Sequence, residues 1–135
     1  MTKKTKSIQT SGTRKTAIAR LSMRPGTGII RVNKILLSNV SPKMARLKME
    51  EVCMFGPQIL NSYDIDILVS GGGVISQADA AKIAIGKALV EKDEKLREKI
   101  IAYDRQMLVG DTRFREPSKP NCHGAARAKR QKSYR

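Results

Sequence analysis

The chain has 135 residues, enough for one domain with extensions, and carries 27 Lys or Arg against 12 Asp or Glu, for a formal net charge of +15 and an isoelectric point near 10.3. Such a balance argues against an enzyme of small molecules and for a polyanionic partner. No run of about 18 apolar residues exists to span a membrane, the basic start Met1 to Ser7 lacks the apolar stretch of a signal peptide, and two distant cysteines suit reduced thiols, so a cytoplasmic location is expected.

The charge is segregated. Residues 1–49 hold twelve bases and no acid, residues 50–111 seven bases and eleven acids, and residues 112–135 eight bases and one acid, Glu116. Solubility alone does not require 49 residues without Asp or Glu, and a membrane surface would need apolar wedges that the last segment, with Phe114 and Tyr134, does not offer. Nucleic acid is the expected partner. Three segments are read from this pattern: a basic leader at 1–10, a globular domain at 11–111, and an extended basic tail at 112–135 that has almost nothing apolar to bury.

Taken in order, Ala17, Ala19, Leu21 and Met23 alternate with Ile18, Arg20, Ser22 and Arg24, which predicts a strand with one basic face. Pro25-Gly26-Thr27-Gly28 then predicts a turn into a partner strand over Ile29 to Asn33, the two forming a hairpin whose acid-free face bears Arg20, Arg24 and Arg31. Lys34 to Leu37 either continues that strand or adds a short third one. Ser41-Pro42 reads as an N-cap and first helical residue, with Met44, Leu47, Val52 and Phe55 as the apolar stripe, Met44, Met49 and Met54 as core filler, and Gly56-Pro57 as the stop.

Tyr63, Ile65, Ile67 and Val69 alternate with Asp64, Asp66, Leu68 and Ser70, a half-buried strand; the two aspartates read as a solvent-facing strand edge, since partners for metal or acid–base work are missing. Gly71-Gly72-Gly73 leads to a helix with a capping box over Ser76 to Asp79, and Ala81, Ala84, Ile85, Ala88 and Leu89 give it a face of mostly small residues for close packing on a sheet. A charged stretch, Lys92 to Lys99, joins a last helix with Leu96, Ile100 and Tyr103, and Asp104 to Asp111 leads to the tail.

Little of this can do covalent chemistry. The glycine turn resembles a phosphate cradle only loosely, because Ser76 stands where a dinucleotide fingerprint needs Gly or Ala; a tight turn into a packed helix is favoured, though RNA phosphate can use the same N–H groups. Cys122-His123 lacks the further ligands zinc needs, and the single histidine supports no nucleophile–base pair. No enzyme, cofactor, metal or small-molecule substrate is expected. Of five Phe and Tyr, Phe55, Tyr63 and Tyr103 fall in core patterns. Binding should therefore rest on phosphate and RNA shape rather than base stacking.

Ser11-Gly12-Thr13-Arg14-Lys15-Thr16-Ala17-Ile18-Ala19-Arg20, Gly26-Thr27-Gly28 with Arg31-Val32-Asn33, Gly71-Gly72-Gly73 with Gln77-Ala78-Asp79-Ala80, and the ending Gln131-Lys132-Ser133-Tyr134-Arg135 together resemble the small-subunit ribosomal protein nine family over nearly the whole chain. Lys-Ser-Tyr-Arg is similar to the archaeal and eukaryotic ending. The resemblance implies an α+β domain, a two-layer α/β sandwich of a four-stranded sheet with helices on one face, as in the second domain of ribosomal protein five. It implies placement in the small-subunit head, on the 3′ major domain of the ribosomal RNA, beside other ribosomal proteins. It also implies a tail that threads through RNA to the peptidyl-site transfer RNA. Candidate ribosomal-RNA contacts are Arg14, Lys15, Arg20, Arg24, Arg31, Gly71, Gly72, Gly73, Arg113, Arg115, Lys119, Arg127 and Lys129. Those near transfer RNA are Arg130, Lys132, Ser133, Tyr134 and Arg135. Asn121-Cys122-His123 departs from the Gly-rich or Lys-rich sequence usual there. A free-standing RNA chaperone and a nucleotide-dependent enzyme are the two alternatives.

Overall fold

The computed structural model describes residues 7–122 and 124–127. Five strands form one sheet: β1 (Ile8–Arg14), β2 (Ala17–Pro25), β3 (Ile30–Val32), β4 (Ile35–Leu36) and β5 (Tyr63–Ser70), in the order β1-β2-β5-β3-β4. The helices are α1 (Lys43–Cys53), α2 (Pro57–Leu60), α3 (Val74–Lys92) and α4 (Leu96–Tyr103), with 3-10 turns at Leu37–Asn39 and Arg105–Met107. The result is the expected α/β sandwich, with five strands rather than four.

The expected hairpin between Ala17–Arg24 and Ile29–Asn33 does not form. β5 inserts between them, antiparallel to β2 with Leu21 opposite Ile67, and parallel to β3 with Arg31 opposite Asp66. β5 carries the longest apolar alternation after β2, burying Ile65, Ile67 and Val69, and a strand so apolar on one face gains most from neighbours on both edges. The four residues after Pro25 serve as a step across it. Gly26 N donates to Ser62 O at 3.0 Å, while the Asp64 carboxylate accepts from Thr27 N at 2.8 Å and Ile29 N at 3.0 Å. Asp64 thus lies on a central strand as the anchor of this loop, correcting its reading as a strand edge.

β2 instead makes its hairpin with β1, through Lys15-Thr16, where Lys15 has φ 54°. β3 and β4 close over Asn33-Lys34, both at positive φ as a type I′ turn demands. Asn33 also extends the sheet: its side chain donates to Val69 O at 3.2 Å and accepts from Val69 N at 2.8 Å.

α3 is the centre of the helical layer. Ala81, Ala84, Ile85, Ala88 and Leu89 are all buried, as the small-residue face predicts, and Ala78 is buried with them. Gly12 of β1 permits the closest approach: a Cβ there would stand 2.1 Å from Ala80 O and 2.8 Å from Ala84 N. Gly86 on the same helix lets Met107 pass; its Cβ would stand 2.6 Å from Met107 O.

Both predicted helix starts shift. α1 begins at Lys43 with Pro42 as N-cap, the Pro42 carbonyl accepting from Ala45 N at 3.0 Å, and Ser41 makes no capping bond. α3 begins at Val74 with Gly73 as N-cap, so Ser76 lies inside the first turn. The left-handed Gly71 and Gly72 (φ 74° and 65°) turn the chain far enough for the helix to start early.

The buried side of α1 is Ala45, Met49 and Val52, while Met44 and Leu47 are exposed. Small Ala45 brings α1 close to its neighbours, and Lys48 reaches Asp79 of α3 at 2.6 Å; of the predicted stripe, Met44 and Leu47 turn outward while Val52 stays buried and Phe55 packs against the core. Of the three methionines read as core filler, only Met49 is buried. Tyr103 is 63% exposed, its ring edge-on to Phe55 and its hydroxyl donating to Glu51 at 2.9 Å.

Candidate nucleic-acid interface

Helices cover one face of the sheet, and side chains of the opposite face stand open. In β2 the alternation that buries Ala19, Leu21 and Met23 turns Ile18, Arg20, Ser22 and Arg24 outward. β5 presents Asp66 and Leu68 beside them, and β3 presents Arg31. Gln9, Ser11, Arg20, Arg24, Lys34 and Leu68 line a broad groove of about 660 Å³ on this face. Arginine suits such a surface because its planar fork gives two parallel bonds to phosphate.

This face is not acid-free. Because β5 inserts between β2 and β3, Asp66 stands between the arginines, 4.0 Å from Arg31 Nη1, and Arg24 lies opposite Asp64 in register. The pairing of Arg31 is loose and exposed, so the cation remains open to competition from phosphate. Lys34, left out of the sequence-based set, joins the groove from the β3–β4 turn; only the strand order could reveal it.

At one end of the sheet Lys15 is exposed on the β1–β2 turn, and the next residue meets the glycine turn: a Cβ on Gly71 would stand 2.5 Å from Thr16 O. Gly71 and Gly72 are therefore needed to pass the neighbouring hairpin. Gly73 has open space around it and caps α3, whose first N–H groups and dipole favour an anion beside Lys15.

Arg14 is turned away from the open face. It bonds Asp111 through Nη1, and its Nε lies 3.9 Å from Asp79, which also receives Lys48 at 2.6 Å. Beside them Lys82 bridges Glu51 at 3.0 Å and Asp104 at 3.2 Å. Burial works against the Lys82 charge, but these two hydrogen bonds and the carboxylates behind them outweigh it and raise its pKa above the ordinary lysine value. The cluster ties β1, α1 and α3 to the start of the tail. Arg14, a candidate ribosomal-RNA contact by sequence, is thus held within this cluster and not on the open face.

From Thr112 to Lys119 the tail has no helix or strand and is exposed throughout. Arg113 folds back on Asp111, Nη2 to Oδ2 at 2.7 Å. Arg115 and Lys119 are exposed; Arg127 forks onto Glu116 at 2.6 and 3.1 Å, and Lys119 N donates to Ala125 O at 2.8 Å, so residues 116–127 close into a loop. Lys129, Arg130, Lys132, Ser133, Tyr134 and Arg135 lie outside the described residues, as does His123. Among the described residues no group of three or more His, Cys, Asp or Glu is placed to hold a metal, and no helix is long and apolar enough to cross a membrane. The Cys53 thiol donates to Met49 O at 3.3 Å, and burial, with Glu50 nearby, pushes its pKa up to about 12.

The protein therefore combines a cationic, uncovered sheet face with a basic segment that has no core of its own. Comparison with known proteins gives this arrangement a lineage. The chain is 47% identical to the small ribosomal subunit protein uS9 of Methanococcus maripaludis strains C7 and S2 over 133 residues, 96% of this chain and 99% of each relative. It is 46% identical to that of Methanococcus vannielii over the same span and shares. The family profile described as ribosomal protein S9/S16 matches residues 12–135, taking in β2, β3 and β5 of the open face, the glycine turn and the whole tail: the chain belongs to the ribosomal protein S9/S16 family.

Proposed function

We propose that this chain, a structural constituent of the small ribosomal subunit and not an enzyme, binds the 3′ major domain of the ribosomal RNA in the subunit head and extends its tail to the peptidyl-site transfer RNA. Membership of the family over residues 12–135 is the observation that carries the ribosomal assignment. The finer reading is supported by charge and shape. Arg20, Arg24, Arg31 and Lys34 offer phosphate contacts on a face no helix covers, and Lys15 with the start of α3 offers another. Tail cations Arg113, Arg115, Lys119, Arg127 and Lys129 continue the path. Arg130, Lys132, Ser133, Tyr134 and Arg135 supply the tip, where contacts to phosphate would hold every transfer RNA alike, without reading its anticodon.

Removing Ser133 to Arg135 tests the tip. Subunits should still assemble, co-sedimenting in a gradient at high salt, while transfer-RNA affinity in the peptidyl site falls about tenfold, since loss of about 1.4 kcal/mol is a factor of ten. Wild-type affinity in filter binding to the purified mutant subunits would refute the role of the tip.

A further inference from the structure

Asp111 stands at the boundary between domain and tail, and its surroundings give it more than a share in overall charge. Its side chain is 9% exposed, although the nine residues that follow are all exposed. One oxygen receives Arg14 Nη1 from β1. Arg113 approaches from the other side with Nε at 3.0 Å from both oxygens, Nη2 at 2.7 Å and its backbone N–H at 2.9 Å. Two guanidinium groups thus grip one carboxylate, one from the rigid sheet and one from the tail. Behind Arg14, Asp79 and Lys48 connect the grip to α3 and α1.

We propose that Asp111 is the positioning residue of the tail: by joining Arg113 to Arg14 it fixes the direction in which residues from Thr112 onward leave the domain. The inference rests on the reading that the tail binds RNA. An acid at the root of an RNA-binding tail weakens long-range attraction, so its presence calls for a local role. Gly110 leads the chain in along β1, where a Cβ would meet Thr13 Oγ1 at 3.7 Å. The hydrogen bonds from Arg113, side chain and backbone, and then from Arg14 hold the Asp111 carboxyl well below the usual carboxylate range, so the grip persists at any pH used for assembly.

Two accounts of Asp111 predict opposite signs. If only charge matters, Asp111→Asn makes the chain more cationic and every RNA binds more tightly. If Asp111 aims the tail, unspecific affinity holds or rises while specific incorporation falls. The test uses the full-length protein. Asp111→Asn should bind poly(U) at least as tightly as wild type, yet lose by roughly tenfold when the two compete for incorporation into small subunits. Arg113→Gln, which breaks one arm but also removes a cation, should lose the same competition while binding poly(U) less tightly. A nitroxide on Cys122, in a Cys53→Ser background, should broaden a defined set of domain amides with Asp111 present and lose that pattern in Asp111→Asn. Amide protection in α3 should stay intact, which separates misdirection from unfolding.

Incorporation equal to wild type, or an unchanged broadening pattern, would overturn the proposal. A companion variant, Arg115→Gln with Lys119→Gln, tells the two failures apart. If its salt dependence of ribosomal-RNA binding matches wild type, the RNA-binding reading of the tail falls and the aiming role with it. If that slope becomes shallower while Asp111→Asn competes normally, only the aiming role is lost.

Discussion

Replacing Gly12 with alanine adds a single methyl group in the least forgiving place in the fold. The new Cβ would lie 2.1 Å from Ala80 O, 2.8 Å from Ala84 N and 3.0 Å from Ile83 Cβ. Ordinary contact begins near 3.4 Å, so α3 would have to withdraw from β1 by more than an ångström. The obstructing atoms are mostly helix backbone, which cannot rotate away as a side chain can. Overpacking costs about 1 to 3 kcal/mol; with backbone in the way, the upper end, about 3 kcal/mol, is expected. Domains of this size are stable by about 5 to 15 kcal/mol in total, and each kcal/mol shifts the melting temperature by roughly 4 to 8 °C for up to 100 residues. Gly12→Ala should therefore melt about 12 to 24 °C below wild type when helicity is followed by circular dichroism. Gly73→Ala is the control, because no heavy atom lies within 4 Å of its Cβ and an N-cap exchange costs under about 1 kcal/mol. If Gly12→Ala melts within about 4 °C of the control, α3 does not approach β1 as described.

Reversal of Arg20 or Arg31 to Glu should impair ribosomal-RNA binding and lower the logarithmic salt slope by about one unit for each phosphate lost, while Lys95→Glu or Lys99→Glu, on the helical side, should change it little; equal effects in salt titrations would mean that only total charge counts. Hydrogen bonds from Ile29 N and Thr27 N lower the Asp64 pKa in the folded protein, so its contribution is present above the unfolded value of about 3.9 and is lost as pH falls through the lower folded value. Asp64→Asn should therefore flatten that part of the acid-unfolding curve, and coincident curves would exclude Asp64 as the loop anchor. A thiol reagent at pH 8 should modify Cys122 faster than Cys53, whose pKa burial and Glu50 raise to about 12; two thiols reacting at one rate would contradict that shift.

The strands easiest to see in the sequence were those that bury one face. β2 and β5 alternate cleanly, and the small-residue face of α3 announced its close packing. β1, which crosses from the leader read at 1–10 into the domain, stayed hidden because Ile8 is its only large apolar residue, and its turn, Lys15-Thr16, uses neither glycine nor asparagine. Sheet order was hidden for a different reason. Alternation tells which side chains share a face but not which strand lies next, so Pro25-Gly26-Thr27-Gly28 looked like a hairpin turn when it is a step over β5. The consequence reached the candidate site: Asp66 entered a face that looked free of acid, and Lys34 joined it. Arg14 illustrates the same limit, since a cation in a basic run cannot be told from one claimed by Asp111, 97 residues away.

The loop closed by Glu116 and Arg127 changes what the tail's length means. Fully extended, 24 residues would reach about 80 Å at about 3.3 Å each. With residues 116 and 127 drawn together, the intervening chain adds almost nothing to that distance, and the remaining residues span at most roughly 45 Å. The closure is a fork between exposed side chains, 82% for Arg127 and 50% for Glu116, and such pairs are readily screened and exchanged. A phosphate could compete with Glu116 for the same guanidinium. The tail therefore carries slack that can be paid out: in the proposed RNA-bound state, the competition for Arg127, not the count of residues, would decide how far its end travels.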